Sequence, residues 1–186
     1  MSHTEAASLL PQQKPRPQGQ VPPQPLAQPP ATGAVAATRH RRHANPFTVR
    51  GPVAVPSWDS VFGRRAPLAV DVGCGPGLFV VELARARPDL NVVGLEIRQH
   101  LVEATLQAAR AAELGNAHAL VANANLHLGA LFAPNSVAQI SFNFPDPWYK
   151  KRHHKRRVLN AALLADLLPQ LRPGAQVHAM TDYEPL

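Results

Sequence analysis

The apolar run Leu68-Ala69-Val70-Asp71-Val72 breaks directly into Gly73-Cys74-Gly75-Pro76-Gly77, and helical spacing follows over residues 78–87. Three glycines in five positions permit backbone angles that side chains forbid, so the chain turns sharply there. In the helix, Leu78, Val81, Leu83 and Ala84 are apolar, Glu82 and Arg85 are polar, and Pro88 ends the run. A strand, a glycine turn and a helix start make one half of a parallel α/β unit. The alternation then repeats. Residues 90–97 read as a buried strand, and residues 101–114 as a helix with Leu101, Val102, Thr105, Leu106, Ala109 and Ala112 on one face. Gly115 is expected to stop that helix, with Asn116 after it. Residues 117–122 read as a third strand, 125–131 as a short helix, and 138–144 as a fourth strand after the turn Pro134-Asn135-Ser136. Residues 158–168 form a helix ended by Pro169, Pro173-Gly174 makes a turn, and residues 175–180 are a fifth strand. This order predicts an α/β protein with a doubly wound, mostly parallel sheet.

The periodic pattern starts only near Ser57. Residues 1–56 hold 11 of the 20 prolines, and residues 1–38 carry no period of 2 or 3.6, so they are expected to stay disordered. The chain divides into a Pro/Gln-rich tail (1–38), a basic arm (39–66) and a folded domain (67–186). No run approaches the roughly 18 apolar residues of a membrane helix, and no secretory signal follows Met1. Cys74 is the only cysteine, which excludes a disulfide framework and favours a reducing compartment. Cytoplasm is expected. The first 40 residues of the chain contain one acid, Glu5, so a chloroplast transit peptide is the alternative, although serine is scarce.

Residues 57–186 carry thirteen Lys/Arg against eleven Asp/Glu, and six of those cations lie in the octapeptide Lys150-Lys151-Arg152-His153-His154-Lys155-Arg156-Arg157. The rest of the domain is therefore mildly acidic. A single concentrated basic loop suggests a local polyanion contact, or else a solvated or localisation-type run. A nicotinamide-dinucleotide turn, GxGxxG, needs glycine at position 78, where this chain has Leu78. The observed Asp71-x-Gly73-x-Gly75-x-Gly77 resembles the first motif of S-adenosylmethionine methyltransferases. That cofactor has a sulfonium and an amino-acid tail rather than a pyrophosphate, and a strand-end carboxylate suits its cationic end. Glu96 lies 19 residues past Gly77, where an acid can accept hydrogen bonds from ribose hydroxyls.

The stretch Phe144-Pro145-Asp146-Pro147-Trp148-Tyr149, continuing into the basic octapeptide, closely resembles the FPDPW-x-K-x-RH-x-KRR-like segment of the tRNA (guanine-N7)-methyltransferase family. His43-Ala44-Asn45-Pro46, Gly94-Leu95-Glu96-Ile97-Arg98, Asn123-Ala124-Asn125 and Thr181-Asp182-Tyr183-Glu184-Pro185 resemble further family segments in the same order. The Asn-Ala form at Asn123 is similar to cyanobacterial, plastid and eukaryotic members. The resemblance covers about His40 to Leu186 and implies a Rossmann-like class I methyltransferase fold. It implies that S-adenosylmethionine is held by Asp71, Gly73, Gly75, Gly77, Glu96, Arg98, Asn123, Ala124 and Asn143, with Asp146 as the active-site residue. It further implies that Lys150 and Asp182 meet the guanine or its surroundings, and that Arg152, His153, His154, Lys155, Arg156 and Arg157 hold the RNA. The partner implied is tRNA, with no membrane and no metal; an accessory protein subunit is left open.

Guanine N7 already offers an in-plane lone pair, so no strong base is required and catalysis rests on positioning and electrostatics. Asp146 can accept hydrogen bonds from guanine N1 and the exocyclic amine, or help orient the cofactor. Trp148 and Tyr149 can stack on a base or pack against the sheet end. His153 and His154 have no cysteine or carboxylate set beside them to complete a metal site, and His40 and His43 read as solvated. Cys74 needs only to be small. The family fold has seven strands, the last two a hairpin, and a late Thr-x-x-Glu-like segment. Five strands are legible here, so C-terminal incompleteness and weak catalysis by this chain are the expectation. The alternative to an enzyme is an inactive RNA-binding methyltransferase-like fragment. A small-molecule or protein methyltransferase has no use for six cations at the pocket mouth.

Overall fold

The computed structural model describes residues 44–183. The expected tail, the first residues of the basic arm, His40, His43, Glu184 and Pro185 lie outside the described residues. Five strands form one all-parallel sheet in the order β3-β2-β1-β4-β5: β1 (Leu68–Val72), β2 (Asn91–Glu96), β3 (Ala117–Val121), β4 (Val137–Asn143) and β5 (Leu171–Met180). The connecting helices are α2 (Leu78–Ala86), α3 (Gln99–Ala111), α4 (Ala124–Leu131) and α5 (Ala161–Leu167), and α1 (Trp58–Phe62) precedes β1. Because the strand order reverses between β1 and β4, the crevice at their carboxyl ends is the switch point where such sheets place ligands.

Both faces of the central strands are buried, as their near-continuous apolar runs require. On one face Val70, Val72, Val93, Leu95, Ile140 and Phe142 pack against Leu128 and Leu131 of α4 and Leu163 and Leu167 of α5. On the other, Ala69 and Val92 meet Val80, Leu83 and Ala84 of α2. Each such Leu or Val contributes roughly 1.5–3 kcal/mol when fully buried. α1 was not anticipated in the basic arm. Trp58 anchors it, stacking on Phe132 at 5.6 Å and donating Nε1–H to Leu131 O at 2.8 Å.

Three boundaries differ from the sequence reading by three residues or more, each for a local reason. α3 ends at Ala111, and Glu113 (φ 54°), not Gly115, takes the left-handed conformation after it. Asn116 is buried and donates to Ala84 O, Arg87 O and Leu90 O, tying α3 and β3 to the end of α2. α5 begins at Ala161 rather than 158 because Asn160 caps it, accepting from Leu163 N at 3.0 Å. Pro173-Gly174 does not precede the fifth strand but bulges from within it. Val137 pairs with Leu171 and Gln139 with Gln176, so five steps on β5 oppose two on β4, with Gly174 at φ 78°. Among the described residues β5 forms one edge of the sheet, with Val177 and Met180 about half exposed.

The segment before α1 is also fastened to the domain. A single 3-10 turn (Pro46–Thr48) is capped by the Asn45 side chain. Asn123, at the start of α4, donates Nδ2–H to Pro46 O (2.8 Å) and Val49 O (3.2 Å) while its Oδ1 accepts from Asn125 N. His127 accepts from Asn123 N at Nδ1, which leaves Nε2 as the donor to Gly51 O at 3.0 Å. Asn123→Ala removes the cap and orphans two carbonyl contacts, so it should cost about 1–3 kcal/mol. Denaturant unfolding should show that loss, and amide exchange should rise selectively around Val49 and Gly51. Unchanged exchange there would show that the segment is held by other contacts.

Candidate active site

The glycine turn crosses the end of β2. Gly73 N and Cys74 N both donate to Leu95 O (2.8 and 3.1 Å). This close crossing depends on Gly94, since a Cβ there would lie 2.6 Å from Cys74 Sγ. Gly73, Gly75 and Gly77 all have positive φ, at 78°, 56° and 82°. At Gly73 and Gly75 a Cβ would meet nothing within 4 Å, so open space lies above the turn, whereas at Gly77 it would sit 2.3 Å from Thr105 Cγ2. The Thr105 hydroxyl shares its single proton between Leu101 O (2.9 Å) and Gly75 O (3.3 Å), so α3 supports the turn from below. Burial, with Asp71 and Glu96 nearby, pushes the Cys74 thiol up to about 12, which leaves it inert as a nucleophile.

Two buried carboxyls stand at the strand ends. Asp71 is 2% exposed. Burial pushes its pKa up to about 7, opposed by the hydrogen bond from Asn143 Nδ2 (3.0 Å) and assisted by the charge of Glu96. Glu96 is 4% exposed but heavily bonded. Oε2 accepts from Gly75 N (3.2 Å) and Arg98 Nη2 (3.0 Å); Oε1 accepts from Ile97 N (2.8 Å), Arg98 N (3.1 Å) and Arg98 Nε (3.1 Å). The bond to Glu96, with a smaller contribution from the charge of Asp146, holds the Arg98 guanidinium above the usual arginine range. Arg98 thus links the β2 acid to the acid after β4.

Asp146 is half-buried in the segment that follows β4. Phe144 (φ 49°) and Trp148 (φ 46°) flank it, both bulky residues in the left-handed region. Such angles are costly and persist where surroundings over-determine them; Phe144 N donates to Met180 O at 2.8 Å. The basic octapeptide folds mostly as a 3-10 helix (Lys151–Arg156). Its cations divide. Arg157 donates Nε–H to Pro147 O (2.8 Å), and its own carbonyl accepts from Asn125 and Asn160, so it braces the loop from inside. Arg156 stacks over Trp148 at 5.0 Å. Lys150, Lys151, Arg152, His154 and Lys155 are exposed. Partial burial and the charges of Arg156, Arg152, Lys150 and Lys155 hold the His153 imidazole below its usual value.

The structure therefore brings Asp71, Gly73, Gly75, Gly77, Glu96, Arg98, Asn143 and Asp146 to one end of the sheet. Asn123 and Ala124 are buried, with the Asn123 side chain turned to the 46–49 segment. Asp182 is exposed past the end of β5, beside Tyr183, whose ring meets Tyr149 edge-on at 5.0 Å. Tyr149 is 65% exposed, as a stacking surface requires, whereas Trp148 is half-buried between Arg156 and His153. Thr105, Gly94 and His127 were missed as supports; the one signal for Thr105 was a hydroxyl in an otherwise apolar helical stripe. A cavity of about 770 Å³ lies at the opposite end of the strands, among Trp58, Arg65, Phe132 and Arg172, remote from these groups. Among the described residues no three His, Cys, Asp or Glu converge to hold a metal ion, and no helix is long and apolar enough to cross a membrane.

Among solved structures, the antibiotic-resistance methyltransferase Kmr superposes with a TM-score of 0.54 at 23% identity, over 72% of this chain and 62% of that one, which establishes the fold. Residues 65–186 match the family described as "Putative methyltransferase". The tRNA (guanine-N(7)-)-methyltransferase of Synechococcus sp. (strain JA-3-3Ab) is 43% identical over 147 residues, which cover 77% of this chain and 62% of that protein. The protein of that name from Synechococcus elongatus is 40% identical over 154 residues, covering 80% of this chain and 72% of that one. The one from Burkholderia mallei is 38% identical over 138 residues, covering 74% and 52%. The chain thus spans about three-fifths of the length of its 43% identical relative. On a match of this extent, the chain belongs to the tRNA (guanine-N(7)-)-methyltransferase family.

Proposed function

We propose that this chain transfers the methyl group of S-adenosylmethionine to N7 of a guanine in tRNA. The observation that carries the reading is one end of a parallel sheet holding a glycine cradle, two buried acids and an acid-then-basic loop, in a chain 43% identical to a protein of that name. The residues fit the cofactor. Among the described residues no cation is bonded to the buried Asp71 carboxyl, and its raised pKa marks the uncompensated burial. The open space over Gly73 and Gly75 lets a ligand approach the backbone. Glu96 offers the acceptor for ribose hydroxyls, with Arg98 as the group that must yield or share it.

The bound cofactor supplies an electrophilic methyl on a sulfonium. The chain supplies position. Asp71 and Asn143 orient the cationic end, and Glu96 fixes the sugar. Asp146, held between two left-handed residues, accepts from the donor edge of the guanine and so aims N7. Arg98 lies close enough to Asp146 for the two opposite charges to interact. Tyr149 presents an open ring to stack on the base, while Trp148 packs. Lys150, Arg152 and Lys155 meet phosphates, and Arg157 holds the loop that carries them. Asp182, past β5, bounds the base from the far side.

Labelled methyl should transfer to tRNA and map, by cleavage at 7-methylguanosine, to guanine N7. Asp146→Asn should lower the rate on the order of a hundredfold, the scale of a misplaced reactant. Methyl found on another atom would overturn the reading. A second outcome concerns protons. Asp71 titrates near 7 in the free protein, and a cation placed beside it lowers that value. Binding of S-adenosylmethionine should therefore release protons below about pH 7, and affinity should rise with pH up to that point and level above it. Calorimetry in buffers of different ionisation enthalpy measures the release, and Asp71→Asn should abolish it. Proton uptake by the unaltered chain would contradict this role for Asp71.

A further inference from the structure

The short segment before α1 carries a cation into the same neighbourhood as the basic loop. Arg50 lies between the two clamps that fix the segment, Asn123 on Pro46 and Val49 and His127 on Gly51. Its Cζ sits 5.1 Å from the centroid of the Phe47 ring. Lys155 Nζ and Arg156 Cζ, from the loop, each lie 5.9 Å from that same centroid. Three positive charges therefore surround one aromatic ring.

No carboxylate accompanies them: among the described residues none of the three forms a salt bridge, and the ion pairs formed there join other residues. A single ring quadrupole attracts cations weakly at exposed sites and does not neutralise three of them. On the same loop, partial burial and then the charges of Arg156, Arg152, Lys150 and Lys155 hold the His153 imidazole below its usual value. Arg156 adds a second sign of a missing acceptor, because its Nε–H is buried with no hydrogen-bond partner. Buried donors of this kind normally find one. Two planar guanidinium forks and one point-charge ammonium are the donor set that a tetrahedral phosphate fills.

We propose that Arg50, Lys155 and Arg156 form a phosphate subsite around Phe47, and that the 44–51 segment is thereby one wall of the RNA groove. The occupant is a backbone phosphate of the bound RNA, so the inference rests on the RNA reading above. Asn123 and His127 then act as positioning residues that set Arg50 against the loop, coupling the end of β3 to the RNA contact.

The test measures affinity of the full chain for a tRNA transcript across salt concentrations. Arg50→Gln should flatten the salt slope by about one charge's worth, ~0.7–0.9 in log–log terms, and weaken binding severalfold at moderate salt. Its melting temperature should stay the same or rise, because a like charge is removed; a purely structural arginine would lower it. Arg50→Gln and Lys155→Gln combined should lose less than the product of the single losses, since one phosphate is shared. The loop variant Lys151→Gln with Arg152→Gln is the reference for the RNA reading itself. If it flattens the slope and Arg50→Gln does not, the subsite is overturned and RNA binding by the loop stands. If neither changes the slope, the RNA reading fails as well. Inorganic phosphate at low millimolar shifting the Arg50 Nε–H resonance, with RNA affinity indifferent to Arg50→Gln, would mark a free-anion site and also overturn the proposal.

Discussion

The Glu96 carboxylate holds the candidate site together. It is almost wholly buried, yet both oxygens accept hydrogen bonds, from Gly75 N, Ile97 N, Arg98 N and the Arg98 guanidinium. Those donors come from three places: the glycine turn after β1, the end of β2, and the residue that starts α3. One side chain therefore fixes the turn, the strand end and the helix start relative to each other. Charge-assisted bonds of this kind are roughly twice as strong as neutral ones, and removing a buried partner leaves the other groups uncompensated. Thr105 completes the arrangement by tying α3 back to Gly75 O.

The site separates charge by depth. The acids Asp71 and Glu96 are buried at the strand ends, while the cations of the 150–157 loop lie mainly outside them. Arg98 stands at the boundary, bonded to Glu96 and feeling Asp146. A small cationic ligand is favoured inside and a polyanion outside, which matches a sulfonium donor acting on a nucleic acid. The Asp146 segment joins the two regions, with its left-handed aromatic neighbours fixing the carboxylate between them.

Much of this was legible in the sequence because it rests on period and turn chemistry. All five strands and the helices between them fall within a few residues of their expected positions, since alternation and glycine or proline punctuation act locally. Asp71 and Glu96 could be placed at strand ends for the same reason, whereas Asn143 was named only through the family resemblance. What could not be read depends on contacts distant in sequence. α1 is held by Trp58 reaching Leu131, 73 positions away. Gly94 is required only because Cys74 crosses over it, and Asn123 serves a segment more than 70 residues upstream. The division of the octapeptide into an inward Arg157 and outward lysines was invisible too, because a run of like charges gives no sign of which member the backbone will recruit. Pro173-Gly174 signalled a turn, but pairing on either side of it turned that signal into a bulge.

The most direct measurement of the account is calorimetric binding of S-adenosylmethionine to Glu96→Gln, paired with amide exchange at Gly75. The substitution keeps the shape of the side chain but removes the charge that gathers Arg98 and the turn. Affinity should fall by at least about tenfold, as for one or two bonds to a charged acceptor, and the Gly75 amide should exchange faster. Unchanged affinity together with unchanged exchange would contradict the central role given to this carboxylate.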